Sequence, residues 1–159
     1  MISKILFGLL LVSLPYVSQA ADPHNSIVIS KRALILYVVS QSGDTLFSAP
    51  VTAGSNYGDK QRRGDRRTPE GTFTVCQIQN SSTWTHDFKD GYGVRKGAYG
   101  PYFFRLKTPR FSGIGIHGTC FPEQIGARRS EGCIRLNNAD LERLRPYVYV
   151  GMKCVIEKD

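Results

Sequence analysis

The sequence predicts a mostly-β fold: a single sandwich- or barrel-like domain with one or two short helices. Three observations predict it. Short runs rich in β-branched and aromatic residues recur along the chain, each bounded by Gly, Pro or Asp turn signals. Sixteen Gly, eight Pro, eight Tyr and eight Phe suit strands and turns better than a helical bundle. The 159 residues, 41% hydrophobic and 21% charged, amount to one domain with enough apolar surface for one core. No repeat and no linker divides the chain.

The first twenty residues stand apart from the fold. Lys4 precedes a short apolar run, Ile5 to Val12, and Ser18-Gln19-Ala20 places small residues before a cleavage point. This pattern reads as a secretory signal peptide over 1–20, with a run too short to cross a bilayer. Export across the inner membrane is therefore expected, to the periplasm or cell envelope, with no membrane span in the mature chain. Residues 21–25 are a short polar leader.

Ile27 to Ser30 begins the domain, then the basic pair Lys31-Arg32, then β-forming residues from Ala33 to Val39. Gln41-Ser42-Gly43-Asp44 is a turn, and Thr45 to Thr52 resumes an extended pattern, so a hairpin is expected. Residues 54–67 are Gly-, Asp- and Arg-rich and read as lying outside the core. Thr68-Pro69-Glu70-Gly71 is a tight turn with Pro preset at its second position. It launches a strand over Thr72 to Gln79. Asn80 to Gly100 is long, polar and aromatic, with Trp84, His86, Tyr92 and Tyr99; a connection of that length is expected to be a lid or binding loop. Tyr102 to Lys107 and Gly113 to His117 are strands. Pro122 to Ala127 suggests a short helix. Asn138 to Leu144 is a better one, with an Asn cap and with Leu141 and Leu144 on one face. Tyr147 to Glu157 alternates as a closing strand.

Charge and cysteines narrow the function. The net charge of +8 suits anionic partners, but a secreted chain without interleaved aromatic and basic residues is a poor nucleic-acid binder. Lys60, Arg62, Arg63, Arg66 and Arg67, with Arg128 and Arg129, either steer carboxylate-bearing substrates or form a solvated face. Cys76, Cys120, Cys133 and Cys154 include no CxxC pair, so neither a metal nor a cofactor is expected. If one is a working thiol, at most one bridge remains: Cys120–Cys154, Cys76–Cys154, or none.

Two segments carry chemistry: Ile116-His117-Gly118-Thr119 and Ser130-Glu131-Gly132-Cys133-Ile134-Arg135. A Cys beside a Gly allows a tight turn on which the amides of Glu131, Gly132 and Cys133 converge, as oxyanion stabilisation requires. A thiol nucleophile needs a base, and His117 closes a strand sixteen residues upstream. His24 and His86 lack such a motif and read as solvated or loop residues.

The stretch His117-Gly118-Thr119-x2-Pro122-x2-Ile125-Gly126-x3-Ser130-x-Gly132-Cys133-Ile134-Arg135-x2-Asn138-x-Asp140 resembles the signature of the L,D-transpeptidase catalytic domain (YkuD-like) family. Thr68 to Phe73 and Gly113 to His117 are similar to its other recurrent segments. The resemblance implies that fold over 26–157, and an enzyme acting on peptidoglycan stem peptides. It implies Cys133 as nucleophile and His117 as base, then acid, with the Gly118 carbonyl orienting the imidazole. Arg135, Ser130 and Tyr99 would hold substrate. Attack at the third residue of the stem would expel terminal D-alanine. An amine from a neighbouring stem, an amino acid or a lipoprotein would then take the acyl group. The motif leaves open hydrolysis of the same acyl-enzyme, and a silent wall-binding module. A monomer is expected. Glu131 departs from the family pattern, which often has His there.

Overall fold

The computed structural model describes residues 22–159, and the expected signal peptide lies outside them. Strands β1 (Ser26–Ser30), β2 (Ile35–Val39) and β3 (Thr45–Pro50) form an antiparallel meander. Alternation sends Ile27, Ile29, Leu36, Val38, Phe47 and Ala49 into the core while their neighbours stay at least partly solvated. Next come β4 (Ala53–Gly54), the long β5 (Gly71–Asn80), a small hairpin of β6 (Thr85–Asp87) and β7 (Val94–Lys96), then β8 (Tyr102–Lys107) and β9 (Gly115–His117). Short β10 (Arg128–Ser130) and β11 (Ile134–Arg135) lead into helix α1 (Asn138–Leu144) and the last strand, β12 (Lys153–Ile156). Eight strands make the main sheet, in the order β11-β9-β8-β5-β12-β1-β2-β3. The mostly-β domain read from the sequence is the fold observed.

Several boundaries differ. The closing strand begins at Lys153 rather than Tyr147, because residues 145–147 form a 3-10 turn that continues α1. The expected helix after Pro122 is a single 3-10 turn over Pro122–Gln124. The helix cap is Asn137, whose side chain accepts the Ala139 amide, which leaves Asn138 to accept the Thr119 amide at 2.9 Å. Strands β4, β6, β7, β10 and β11 have two or three residues each, too few for a period to show in sequence.

The 54–67 segment is anchored rather than loose. Lys60 is 5% exposed and pairs with Asp65 at 2.7 Å. Lys31 is buried beneath the segment and bonds to the Gly58 carbonyl, Glu70 and Asp159. Asp159 also pairs with Arg128. A buried ammonium needs such partners, since desolvating an unpaired charge costs several kcal/mol. Among the described residues, no helix is long and apolar enough to cross a membrane.

Candidate active site

Sheet register assembles the site. Strand β9 lies antiparallel to β8 and parallel to β11, so Arg135 sits opposite His117 and Ile134 opposite Ile116. The Leu136 amide donates to the His117 carbonyl at 2.9 Å, continuing the ladder. The turn that carries Cys133 immediately precedes β11, so pairing of these two short strands returns the sulfur to the end of β9.

His117 is 3% exposed. Its ring stacks on Phe103, with centroids 5.3 Å apart and 12° between planes, and Tyr99 packs against it at 4.9 Å. Nδ1 lies 2.6 Å from the Gly118 carbonyl. A carbonyl only accepts, so Nδ1 carries the proton and Nε2 keeps its lone pair. Burial and then the Arg135 charge lower the His117 pKa to about 3, against the pull of the Gly118 bond. Gly118 is required by close approach: a Cβ there would lie 2.8 Å from the Gly100 Cα and overlap Asn138.

Cys133 is half-buried, and its thiol donates to the Gly113 carbonyl at 3.3 Å. Burial pushes the thiol up; a backbone hydrogen bond from Gly115 and the charges of Arg135 and Arg105 oppose this, while Glu131 adds to it. Thiol and imidazole therefore rest neutral. Gly132 has φ +137°, and a Cβ there would meet the Arg67 carbonyl at 2.8 Å, so only glycine fits. The Gly132 amide donates to Ser130 Oγ at 3.1 Å, and that hydroxyl donates to the Cys133 carbonyl at 2.6 Å. Of the three amides expected to converge, Gly132's is thus already committed. Those of Glu131 and Cys133 have no acceptor among the described residues. Ser130 was expected to contact substrate; it is 1% exposed and braces the turn.

Cys133, His117, Arg135, Tyr99, His86 and Glu131 line one cleft of about 440 Å³, with Lys60, Arg63 and Arg66 along one wall. Arg135 is 5% exposed, and its guanidinium bonds only to neutral Gln124, at 3.3 Å, while lying over the Phe88 ring. It is a buried positive charge with no carboxylate within ion-pair distance among the described residues, while Glu131 in the same cleft acts on it from farther off. Trp84 packs on Tyr99 and Phe103 behind the imidazole, whereas Tyr92 projects into solvent.

His86 is the residue that sequence reasoning missed. Its Nδ1 lies 3.1 Å from the Tyr99 hydroxyl and its Nε2 3.0 Å from Glu131, tying the β6–β7 hairpin to the Cys133 turn. The one signal pointing to it was the unusual carboxylate at Glu131. All four cysteines are free thiols, so neither Cys120–Cys154 nor Cys76–Cys154 is bridged. Among the described residues, no three His, Cys, Asp or Glu side chains group to hold a metal ion.

Comparison with known proteins places this geometry. The family model described as the L,D-transpeptidase catalytic domain, YkuD, matches residues 24–156. YkuD of Bacillus subtilis (strain 168) is 37% identical over 92 residues, covering 58% of this chain and 46% of that protein. Its Bacillus licheniformis namesake is 31% identical over 90 residues, covering 57% and 45%. The chain spans about half the length of these curated relatives. The helical cell shape determining protein Pgp2 (K307A mutant) of Campylobacter jejuni superposes with a TM-score of 0.64 at 25% identity, covering 87% of this chain and 48% of that one. An L,D-transpeptidase from Mycobacterium smegmatis gives 0.62 at 23% identity, covering 84% and 58%, a likeness of fold. With the match running over most of its length, the chain belongs to the L,D-transpeptidase catalytic domain family.

Proposed function

We propose that the protein is an exported cysteine acyltransferase acting on peptidoglycan stem peptides. The observation that carries this reading is the shared cleft of Cys133 and His117, in which Nδ1 is fixed on the Gly118 carbonyl and Nε2 is left as a proton acceptor. Nε2 takes the thiol proton as the sulfur attacks the carbonyl of the third, L-centred stem residue. Because thiol and imidazole rest neutral, proton transfer accompanies attack instead of preceding it. The Glu131 and Cys133 amides receive the oxyanion. Imidazolium then protonates the departing amine, terminal D-alanine leaves, and an acceptor amine resolves the thioester. Arg135 and the Arg63–Arg66 wall supply positive charge for stem carboxylates.

Incubation with purified disaccharide tetrapeptide tests the reaction. Cross-linked dimer or an exchanged terminal residue is expected by mass, and tripeptide alone would make the enzyme an L,D-carboxypeptidase. Cys133→Ala should abolish every product; unchanged turnover rejects the mechanism. A carbapenem should add once to the intact mass, at Cys133. Export is tested by N-terminal sequencing, with Ala21 expected first.

A further inference from the structure

The cleft holds a second imidazole that the reaction leaves unused. His86 stands on β6, in a hairpin that pairs with β7 and lies outside the eight-stranded sheet. Its Nε2 is 3.0 Å from Glu131 Oε2, and its Nδ1 is 3.1 Å from the Tyr99 hydroxyl. Tyr99 packs on the His117 ring at 4.9 Å, and Glu131 stands two residues before Cys133 in the same turn. One ring thus joins both halves of the site, the half that carries the base and the half that carries the sulfur. We propose that His86 is a positioning residue of the reaction, clamping the Cys133 turn to the tyrosine ring that packs on His117. The inference rests on Cys133 and His117 as the reacting pair and adds what holds them in register.

The hydrogen bonds of this clamp have one direction. A carboxylate only accepts, so Nε2 carries the proton; in the neutral ring Nδ1 then accepts, and Tyr99 donates to it. His86 and His117 therefore hold opposite tautomers, Nε2–H in the first and Nδ1–H in the second. Phe88 meets the His86 ring edge-on at 4.5 Å and itself packs on Phe121 at 5.1 Å, which supports the imidazole from a third side. Arg66 and Arg135 line the cleft beside Glu131. Neither comes within ion-pair distance of it among the described residues, and Arg135 feels its charge from farther off. His86 is the side chain that bonds to the Glu131 carboxylate.

Sheet pairing fixes few residues here. Strand β9 has three residues and β11 two, and Cys133 precedes β11 on a turn whose Gly132 has φ +137°. The thiol at rest bonds to the Gly113 carbonyl and not to the imidazole, so it must turn toward Nε2 to give up its proton. Both groups are neutral, and proton transfer during attack needs them aligned; a displacement of about 1 Å costs on the order of a hundredfold in rate.

The test separates positioning from folding and from binding. Acylation by a carbapenem, followed by intact mass, gives a rate constant at saturation and a half-saturating concentration. His86→Ala and Glu131→Ala should each lower the rate constant about tenfold, the value of one such hydrogen bond, with the half-saturating concentration unchanged. The double variant should be no slower than either single one, because the clamp is broken once. Glu131→Gln loses the same charge as Glu131→Ala but keeps an acceptor for Nε2–H, and its rate should stay within about twofold of the unmodified protein. In the unmodified protein at pH 8, long-range proton–nitrogen NMR should find the His86 proton on Nε2. A neutral His86 ring protonated at Nδ1 overturns the clamp whether or not the variants fold. Losses that multiply in the double variant, a Glu131→Gln as slow as Glu131→Ala, or single variants within about twofold of the unmodified rate overturn it too. So does a change confined to the half-saturating concentration, which would make His86 a binding group. No adduct on the unmodified protein would instead overturn the choice of reacting pair.

Discussion

Acid should destabilise this fold through His117. Its pKa, 6.5 in the unfolded chain, is held at about 3 in the fold by burial among Phe103 and Tyr99 and by the Arg135 charge. At 1.36 kcal/mol per unit, a shift of that size disfavours the folded imidazolium by roughly 5 kcal/mol. The folded value lies below the unfolded one, so the unfolded chain binds the proton first as pH falls. The stability is fully present above pH about 6.5 and is lost progressively down to about 3. Urea unfolding of the wild type and of His117→Asn between pH 4.5 and 7 isolates the effect, because carboxylates common to both cancel. Their stability difference should change by about 2 kcal/mol between pH 6 and 4.5. In parallel, the His117 ring proton should show no NMR titration above pH 4. A midpoint between 6 and 7, or stabilities that run parallel with pH, would refute the account of a neutral, desolvated base.

Three other outcomes follow from the same geometry. Lys31→Met leaves Glu70 without its cation and Asp159 with Arg128 alone, and should cost about 3–5 kcal/mol by urea denaturation. Ser130→Ala removes the hydroxyl that joins the Gly132 amide to the Cys133 carbonyl; carbapenem acylation should slow by roughly 5- to 150-fold, the value of one to three kcal/mol in a positioned bond, with the stoichiometry of labelling unchanged. Iodoacetamide should modify Cys133 in the folded protein and reach Cys154 only after unfolding. Burial pushes the Cys154 thiol up to about 12, and its side chain is fully enclosed in β12.

Parts of the site are legible in one dimension because their chemistry is local. His117-Gly118 carries an imidazole and the carbonyl it bonds to on consecutive residues, and Gly132-Cys133 carries a turn that tolerates no side chain together with the sulfur it presents. The strands show in the alternation of Ile27, Ile29, Leu36 and Val38. His86 did not show, because its partners Tyr99 and Glu131 lie thirteen and forty-five residues away and share no pattern with it. The burial of Ser130, expected to hold substrate, did not show for the same reason: it depends on how β10 meets β4.

The sequence alone determined that this chain makes a β-rich domain and put a thiol and an imidazole forward as its candidate pair. The first follows from alternation and turn residues that act within a few positions; the second rests on the motif resemblance, because a spacing of sixteen residues allows the pairing without showing it. Tertiary structure decided the state and surroundings of that pair. Burial depends on neighbours brought in by β8, by Tyr99 and by the 54–67 segment, and it sets both groups neutral. The same long-range packing leaves Arg135 without a carboxylate in ion-pair distance and brings His86 to Glu131, a contact between residues far apart along the chain.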